Sequence, residues 1–180
     1  MVLTIDQLLP LADLEARVAS GHVRVRRHPS APLMIANYTS RASYDSIWDD
    51  VTRQCRGLIW NKDTGEVVAR PFAKFFDLHS TVGRIPDRPP IAYEKLDGSL
   101  GILYQYDGTW SVATRGSFDS EQAKWASGQL CQRYPELDVP DGLTPLVEIV
   151  YSGNRIVVDY GREDLVLLAA IAWLRRRTHC

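Results

Sequence analysis

The chain has 180 residues, a formal net charge of −1, and ordinary hydrophobic (45%) and charged (24%) fractions, which favour one globular domain. No apolar run has the length of a membrane span, and the acidic start lacks a secretion signal, so we expect a cytoplasmic protein that makes no membrane contact. Cys55, Cys131 and Cys180 are too few and too scattered for a disulfide framework or a zinc cluster.

The first half of the chain predicts a broken helix followed by strands. Apolar residues recur at helical spacing through 4–21, and Pro10 interrupts them. The alternation at 22–26 and the segment 33–38 predict two strands, and 44–51 predicts a helical turn. Segments 56–60 and 66–70 predict a hairpin that ends before Pro71.

The second half predicts further hairpins and one longer helix. The proline- and glycine-rich segment 82–90 predicts a connector. Strands are predicted at 100–106, 110–115, 146–150, 155–158 and 165–171, and a helix capped by Asp119 or Ser120 at 119–134. Because strands outnumber helices and successive hairpins dominate, we expect an α+β fold with mainly antiparallel sheets, formed by residues 1–180 as one domain.

Local basic runs stand out against the near-neutral chain. They comprise Arg24, Arg26, Arg27 and His28 near the start and 175–177 near the end. Any contact with a nucleic acid must come from such runs, because the net charge supplies no overall attraction. The alternative interpretation of each run is a solvated basic surface.

The segment Lys95-Leu96-Asp97-Gly98-Ser99 places an amine beside a flexible backbone, between two strand-like runs. Such a position suits a ligand phosphate. A lysine that attacks phosphorus must be neutral, which burial or neighbouring cations would promote. Taken alone, the segment is also compatible with a hairpin turn that carries a surface lysine.

Further candidate residues surround this segment in the sequence. Two of them, Arg56 and Lys74, are cations that could simply lie on the surface of a sheet. Phe75, with its neighbour Phe76, could form a wall for a base or belong to the core. Glu148 interrupts an apolar strand, and a buried carboxylate is costly without a partner, so it should face a ligand cleft or an internal cation.

Together these segments resemble the covalent nucleotidyltransferases, which comprise ligases and mRNA capping enzymes. The best fit is to the phage-type tRNA-repair RNA ligases, and it runs from about residue 38 to about residue 171. The resemblance implies an ATP-grasp-like nucleotidyltransferase core. The segments that carry it are 54–59, 70–77, 95–100, 114–118, 146–150 and 154–160.

The resemblance also implies roles for individual residues. Lys95 would be the nucleophile that forms lysyl-AMP from ATP, and Glu148 would contact the ribose or Mg²⁺. The enzyme would then join RNA 5′-phosphate and 3′-hydroxyl ends, in tRNA-like or other broken RNA. The implied nucleotide-binding residues are Arg56, Lys74, Phe75, Glu94, Asp97, Gly98, Arg115 and Glu148.

The sequence departs from the family pattern at two places. Arg115 stands where these ligases usually have a lysine, and a guanidinium fork is a different contact from an ammonium. The family's later Glu-Gly motif and paired lysines do not occur in this sequence. We therefore expect an incomplete domain with weakened adenylylation: a fragment, a truncated product, or a chain completed by a partner.

Two competing functions remain at this point. One is a catalytically inactive protein that binds a nucleotide or an RNA end. The other is a capping guanylyltransferase or a DNA ligase, which share the lysine motif. The Arg56 and Lys74 segments favour an RNA ligase. A further hypothesis places the basic segment 175–177 near the phosphates.

Overall fold

A computed structural model of the chain describes residues 2–77, 89, 91–154 and 157–173. The described residues form an α+β fold with two antiparallel sheets, which confirms the predicted class. The elements are α1 Ile5–Leu8, α2 Leu11–Ala19, β1 Val23–Arg27, β2 Leu33–Tyr38, α3 Ser40–Tyr44, α4 Asp50–Gln54, β3 Arg56–Asn61, β4 Val67–Ala69, β5 Ser99–Tyr106, β6 Thr109–Thr114, α5 Glu121–Arg133, β7 Leu143–Val150, a 3₁₀ turn Ser152–Asn154, and β8 Asp164–Ala172.

The first sheet has the order β1-β2-β3-β4 and carries the N-terminal helices on one face. Alternate strand residues such as Val23, Ala36 and Leu58 point into this core and meet Leu9 and Leu14 of the helical segment. The break at Pro10 separates α1 from α2 as predicted, so both short helices can follow the surface of the sheet.

The other face of the first sheet packs on the second sheet, whose order is β6-β5-β7-β8. Ile35 and Ile59 from the first sheet meet Ile102 and Leu146 from the second. At Gly57, which has a φ of 96°, an added Cβ would lie 2.3 Å from the Cδ1 of Ile102. Glycine at this position lets the sheets approach where Arg56 enters β3.

The outer face of the second sheet is covered by α5. Ala126 and Leu130 of the helix pack on Val112 and Ile149 of the sheet. The Ser120 side chain caps the helix by accepting a hydrogen bond from the N–H of Ala123, as the sequence predicts. The layers are therefore helices, sheet, sheet and helix. No helix in the described segments is both long and apolar enough to cross a membrane.

The predicted helical turn at 44–51 is wrong, because two helices flank this position instead. Ser46 has a left-handed φ of 54° after the end of α3. Asp49 starts a new helix: its carboxylate accepts a hydrogen bond from the N–H of Thr52 at 2.8 Å. An aspartate in this sequence context therefore caps α4 rather than lying within a turn of helix.

The predicted strand at 155–158 lies partly outside the described residues, and its described part is not a strand. Val157 and Val158 donate their backbone N–H groups to a side chain, Asp97, and not to a neighbouring strand. The predicted connector 82–90 lies outside the described residues except for Pro89. The segments 175–177 and Cys180 also lie outside them.

Candidate functional site

The Lys95 segment lies at the entry to β5 and beside β7. Lys95 is exposed, and the chain then enters the strand at Ser99. Pairing with β7 sets Ser99 opposite Ile149 and Leu100 opposite Glu148. The sheet register therefore brings the lysine segment and the carboxylate together, although 53 positions (148 − 95) separate Lys95 from Glu148 in the sequence.

The approach of this loop to β7 requires glycine at position 98. A Cβ on Gly98 would lie 2.5 Å from the carbonyl oxygen of Ile149 and 3.1 Å from the Cγ of Glu148. Atoms at such distances overlap, and one of them is rigid backbone. Gly98 is thus needed for contact between the loop and the Glu148 side chain.

Glu148 is a half-buried carboxyl group surrounded by charges. Burial raises its pKa above the ordinary value, because the charged form loses solvation. The nearby backbone N–H of Gly98 and the positive charges of Lys95 and Arg56 act in the opposite direction, while Asp97 adds to the increase. Because burial outweighs the effects that lower the pKa, a further positive group or hydrogen-bond donor would stabilise the charged form of Glu148.

Asp97 fixes the loop to the segment that follows β7. Its carboxylate accepts hydrogen bonds from the N–H groups of Val157, at 2.6 Å, and Val158, at 2.8 Å. These bonds lower the pKa of Asp97, because they stabilise the charged form. The backbone N–H of Asp97 donates to the hydroxyl oxygen of Tyr160 at 2.7 Å. Asp97 therefore positions the loop through three bonds.

A second polar contact fixes the start of β5. The side chain of Asn154 is buried and donates to the carbonyl oxygen of Ile149 at 2.8 Å. Its Oδ1 accepts a hydrogen bond from the Ser99 hydroxyl at 2.9 Å. The two strands that carry the lysine segment and Glu148 are thus held together by side chains as well as by the sheet.

Arg56 contributes a half-buried cation from the first sheet. Its guanidinium lies 5.0 Å from the centre of the Phe75 ring and beside the Tyr38 hydroxyl. Burial lowers the pKa of Arg56, and the charge of Arg115 lowers it further. The buried Nη1 of Arg56 finds no hydrogen-bond partner among the described residues. A buried donor without a protein partner is available to a water or a ligand.

Arg115 reaches the same region from the second sheet. Its Nη1 donates to the hydroxyl oxygen of Tyr38 at 3.2 Å, and its guanidinium lies 5.2 Å from the centre of the Tyr38 ring. Tyr38 therefore contacts both arginines, and it joins the two sheets at the site. Its hydroxyl can hold the two guanidinium groups side by side despite their like charges.

The Lys74 side chain lies among aromatic rings, and its neighbour Phe75 contacts Arg56. Its Nζ donates to the carbonyl oxygen of Phe75 at 2.7 Å and lies 4.6 Å from the centre of the Phe76 ring and 5.6 Å from that of Trp48. Phe75 is 62% exposed and therefore lies outside the core. Phe76 instead packs edge-on against Trp48.

The described residues offer a limited set of metal ligands. No three His, Cys, Asp or Glu side chains in these segments lie together as a metal site would require. Mg²⁺ commonly uses one or two carboxylates together with waters and substrate phosphates. Glu148, with Asp97 near it, is a carboxylate that could fill such a role, and burial raises its pKa because the charged form loses solvation.

The structure brings together most of the residues that the sequence singled out. Arg56, Lys95, Asp97 and Glu148 lie close enough for their charges to interact, and Gly98 lies among them. Arg115 joins through Tyr38, and Lys74 joins through Phe75. Glu94 is exposed and forms no hydrogen bond or ion pair with the other described residues.

Three positioning residues were not predicted: Tyr38, Asn154 and Tyr160. The segment that resembles the family includes Asn154 and Tyr160, but a polar residue after a strand predicts a turn and not a contact. Tyr38 ends an apolar strand, a place where an aromatic residue usually belongs to the core. Their contacts join distant parts of the sequence, so no local pattern identifies them.

Comparisons with known proteins match the part of the chain that contains the candidate site residues. The sequence profile of the RNA ligase family matches residues 54–175. The chain is 31% identical, over 194 aligned residues, to a protein of Autographa californica nuclear polyhedrosis virus assigned as a bifunctional polynucleotide kinase/RNA ligase, and the match covers 90% of this chain and 27% of that protein. It is 30% identical over 125 residues to a protein of Thermovibrio ammonificans assigned as an RNA ligase, covering 64% of this chain and 33% of that protein.

The matches favour an RNA ligase over the capping enzyme and the DNA ligase among the sequence-based alternatives. The chain spans about a quarter to a third of the length of these relatives, with 27% of one and 33% of the other covered. The names of the relatives describe proteins that contain much more than the matched part.

Proposed function

The chain belongs to the RNA ligase family, and we propose that it forms a covalent lysyl-AMP on Lys95 as the first step in joining RNA ends. One observation carries the proposal. Gly98, just before β5, lies against the half-buried Glu148, the charge of Lys95 acts on that carboxylate, and Arg56 adds a buried donor without a partner among the described residues. A nucleotide would supply a phosphate for the cation and hydroxyl groups for the carboxylate.

In the first step, the neutral amine of Lys95 attacks the α-phosphorus of ATP. A phosphorus–nitrogen bond forms, the bond from the α-phosphorus to the bridging oxygen breaks, and pyrophosphate leaves. The amine loses its proton to water. Arg56 and Arg115 would stabilise the negative charge that develops on the phosphate oxygens, and their mutual charge effect shows that they lie near each other.

In the later steps, an oxygen of an RNA 5′-phosphate displaces Lys95 from the AMP phosphorus, and the amine regains a proton. A 3′-hydroxyl then attacks the activated 5′-phosphate, and AMP leaves as the phosphodiester forms. Mg²⁺ bound near Glu148 would neutralise phosphate charge during these displacements. The exposed Phe75 ring would contact the adenine base.

The first step can be tested by incubating the protein with ATP labelled at the α-phosphate and with Mg²⁺. We expect a label that survives denaturation, is lost in Lys95→Ala, and remains in Lys124→Ala, which removes an exposed lysine of α5 as a matched control. The proposal fails if the wild-type chain takes up no label, or if the label persists in Lys95→Ala.

A second function, an inactive nucleotide- or RNA-end-binding protein, is favoured by the exposure of Lys95. An exposed amine lacks the burial that would promote its neutral form. Binding of ATP or of 5′-phosphorylated RNA without any covalent label would support this second function. Absence of binding to both ligands would exclude it.

A further inference from the structure

The basic run near the start of the chain divides between the two faces of β1. Arg24 and Arg26 are two positions apart, so they share a face, and Arg27 lies on the other. Their partners on β2 are Asn37 and Ile35, and Ile35 packs between the two sheets. Arg24 and Arg26 therefore lie on the face that meets the second sheet.

His28 has a different environment from the arginines of the same run. Its ring lies 4.8 Å from that of Phe118, and its Nδ1 accepts a hydrogen bond from the N–H of Ala31 at 2.9 Å. His28 thus closes a local turn and packs against an aromatic side chain. Arg24 and Arg26 therefore differ from Arg27 and His28 in their surroundings.

Arg24 and Arg26 line an open cleft of about 540 Å³, which we call the arginine cleft, together with Arg115 of the second sheet. No Asp or Glu belongs to the described lining, and none of the three arginines forms an ion pair with a described residue. Asp119 lies near Arg26 but also accepts a hydrogen bond from Ser117. The remaining lining is Asn37, Tyr38, Thr39, Ser40, Ser43, Thr114, Gly116 and Ser117.

The arginine cleft adjoins the candidate nucleotide site. Tyr38 and Arg115 form part of its wall; Tyr38 also contacts Arg56, and the charge of Arg115 acts on that of Arg56. A polyanion bound in the cleft would therefore reach Arg56 without leaving positively charged surface. Hydroxyl groups on the wall add neutral hydrogen-bond donors, which commonly accompany arginine at phosphate contacts.

We propose that the arginine cleft binds phosphate groups of an RNA strand close to its reacting end. The inference rests on the proposed function, because it names where the RNA approaches the nucleotide. Guanidinium forks match the oxygens of a phosphate, and three of them without acidic neighbours in the lining favour a chain of phosphates over a single neutral ligand. Arg24 and Arg26 hold the strand, and Arg115 lies between it and Arg56.

The test compares Arg24→Gln/Arg26→Gln with the wild-type chain. Binding of a short single-stranded RNA, labelled at its 3′ end, is measured by fluorescence anisotropy at several salt concentrations. We expect the double variant to raise the dissociation constant about tenfold or more. The slope of log affinity against log salt should become shallower by about 1.4, since each phosphate contact on a single strand contributes about 0.7.

Arg27→Gln is the matched control, because it removes the same charge from the same strand on the opposite face. Its affinity should fall much less. Ser43→Glu is a second variant that keeps both arginines and adds a negative charge to the exposed wall. It should also weaken RNA binding, which guards against a folding defect in the double variant.

Two RNA probes, with a 5′-phosphate and with a 5′-hydroxyl, distinguish the source of the phosphate. Equal losses with both probes would indicate internal phosphodiesters, and a loss confined to the first would indicate the terminal phosphate; either supports the proposal. Wild-type affinity of the double variant for both probes would overturn it. So would absence of RNA binding to the wild-type chain.

Labelling with α-labelled ATP separates this inference from the proposed function. If the double variant binds RNA normally but labels poorly, the arginines serve the nucleotide and the inference is wrong. RNA binding that depends on the arginines in a wild-type chain that takes up no label supports the cleft and contradicts the proposed first step.

Discussion

Glu148 lowers the stability of the fold at neutral pH and at the same time supplies a carboxylate to the candidate site. Burial disfavours its charge more than the nearby Gly98 N–H and the charges of Lys95 and Arg56 favour it, so its pKa is raised on folding. A carboxyl group of this kind destabilises the fold as the pH rises through its folded pKa, and the effect disappears in acid, where it is protonated in both states. A carboxylate whose pKa burial raises, beside other charged side chains, is typical of functional sites.

Glu148→Gln should therefore stabilise the chain at neutral pH and reduce adenylylation. The amide keeps the shape and an acceptor oxygen but carries no charge to lose solvation. The free energy of unfolding, measured in urea, should exceed that of the wild type at pH 7–8, and the difference should shrink towards pH 4. Formation of lysyl-AMP should slow about a hundredfold, as expected for a lost charge contact.

Glu148→Asp provides the control for this prediction, because it retains the charge and shortens the side chain. It should not reproduce the gain in stability. A Glu148→Gln chain that is less stable than the wild type at neutral pH, or equally stabilised at pH 4, would show that burial does not dominate the carboxyl group.

At the scale of elements, the loop before β5 depends on its approach to β7. Gly98→Ala would place a methyl group 2.5 Å from the Ile149 carbonyl oxygen, and that strand is paired on both sides and cannot move freely. We expect a loss of about 1–3 kcal/mol in the free energy of unfolding. Displacement of Lys95 should reduce lysyl-AMP formation about a hundredfold.

Gly128→Ala is the matched substitution in α5. Nothing lies within 4 Å of the added Cβ, and the position is helical. Alanine should stabilise this helix by about 0.5–1 kcal/mol and leave adenylylation unchanged. Urea unfolding and ATP labelling of both variants check the pair. Equal effects of the two substitutions would contradict the role assigned to close packing at position 98.

The elements that were predicted correctly have strong local signals. Alternation predicts β1, the Asp107-Gly108 turn predicts the β5–β6 hairpin, and Ser120 predicts the start of α5. Where a side chain overrides the local pattern, prediction fails. Asp49 starts α4 within the predicted turn, and Asp97 accepts the N–H groups of Val157 and Val158, which a strand could have used.

The candidate residues were chosen from sequence for different reasons. Lys95 lies beside a flexible glycine between two strand-like runs, Glu148 interrupts an apolar strand, and the sheet register brings their segments together. Tyr38 was missed because its value lies in contacting Arg56 and Arg115, which come from different sheets. Such a contact depends on how the sheets pack, and composition does not encode that.

At the scale of the whole molecule, the three cores share strands and should unfold together. The first sheet contributes to the helical core on one face and to the intersheet core on the other, and the second sheet links that core to α5. No described core is confined to one segment of sequence. The prediction of a single domain therefore has a direct consequence for the helix-covered core, which contains Cys55.

Cys55 should report cooperative unfolding through its reactivity. The thiol is fully buried, so a reagent cannot reach it in the folded state. Burial also raises its pKa to about 12, so the reactive thiolate does not form there. In a Cys131→Ser/Cys180→Ser background, labelling by a thiol reagent at pH 8 should be at least about 10⁴-fold slower than in urea-unfolded chain. Its dependence on urea should match that of global unfolding measured by circular dichroism.

The complementary background, Cys55→Ser/Cys180→Ser, should label rapidly because Cys131 is exposed. Labelling of Cys55 with a much weaker urea dependence than global unfolding would show that the N-terminal helices detach separately, and would contradict a single cooperative domain.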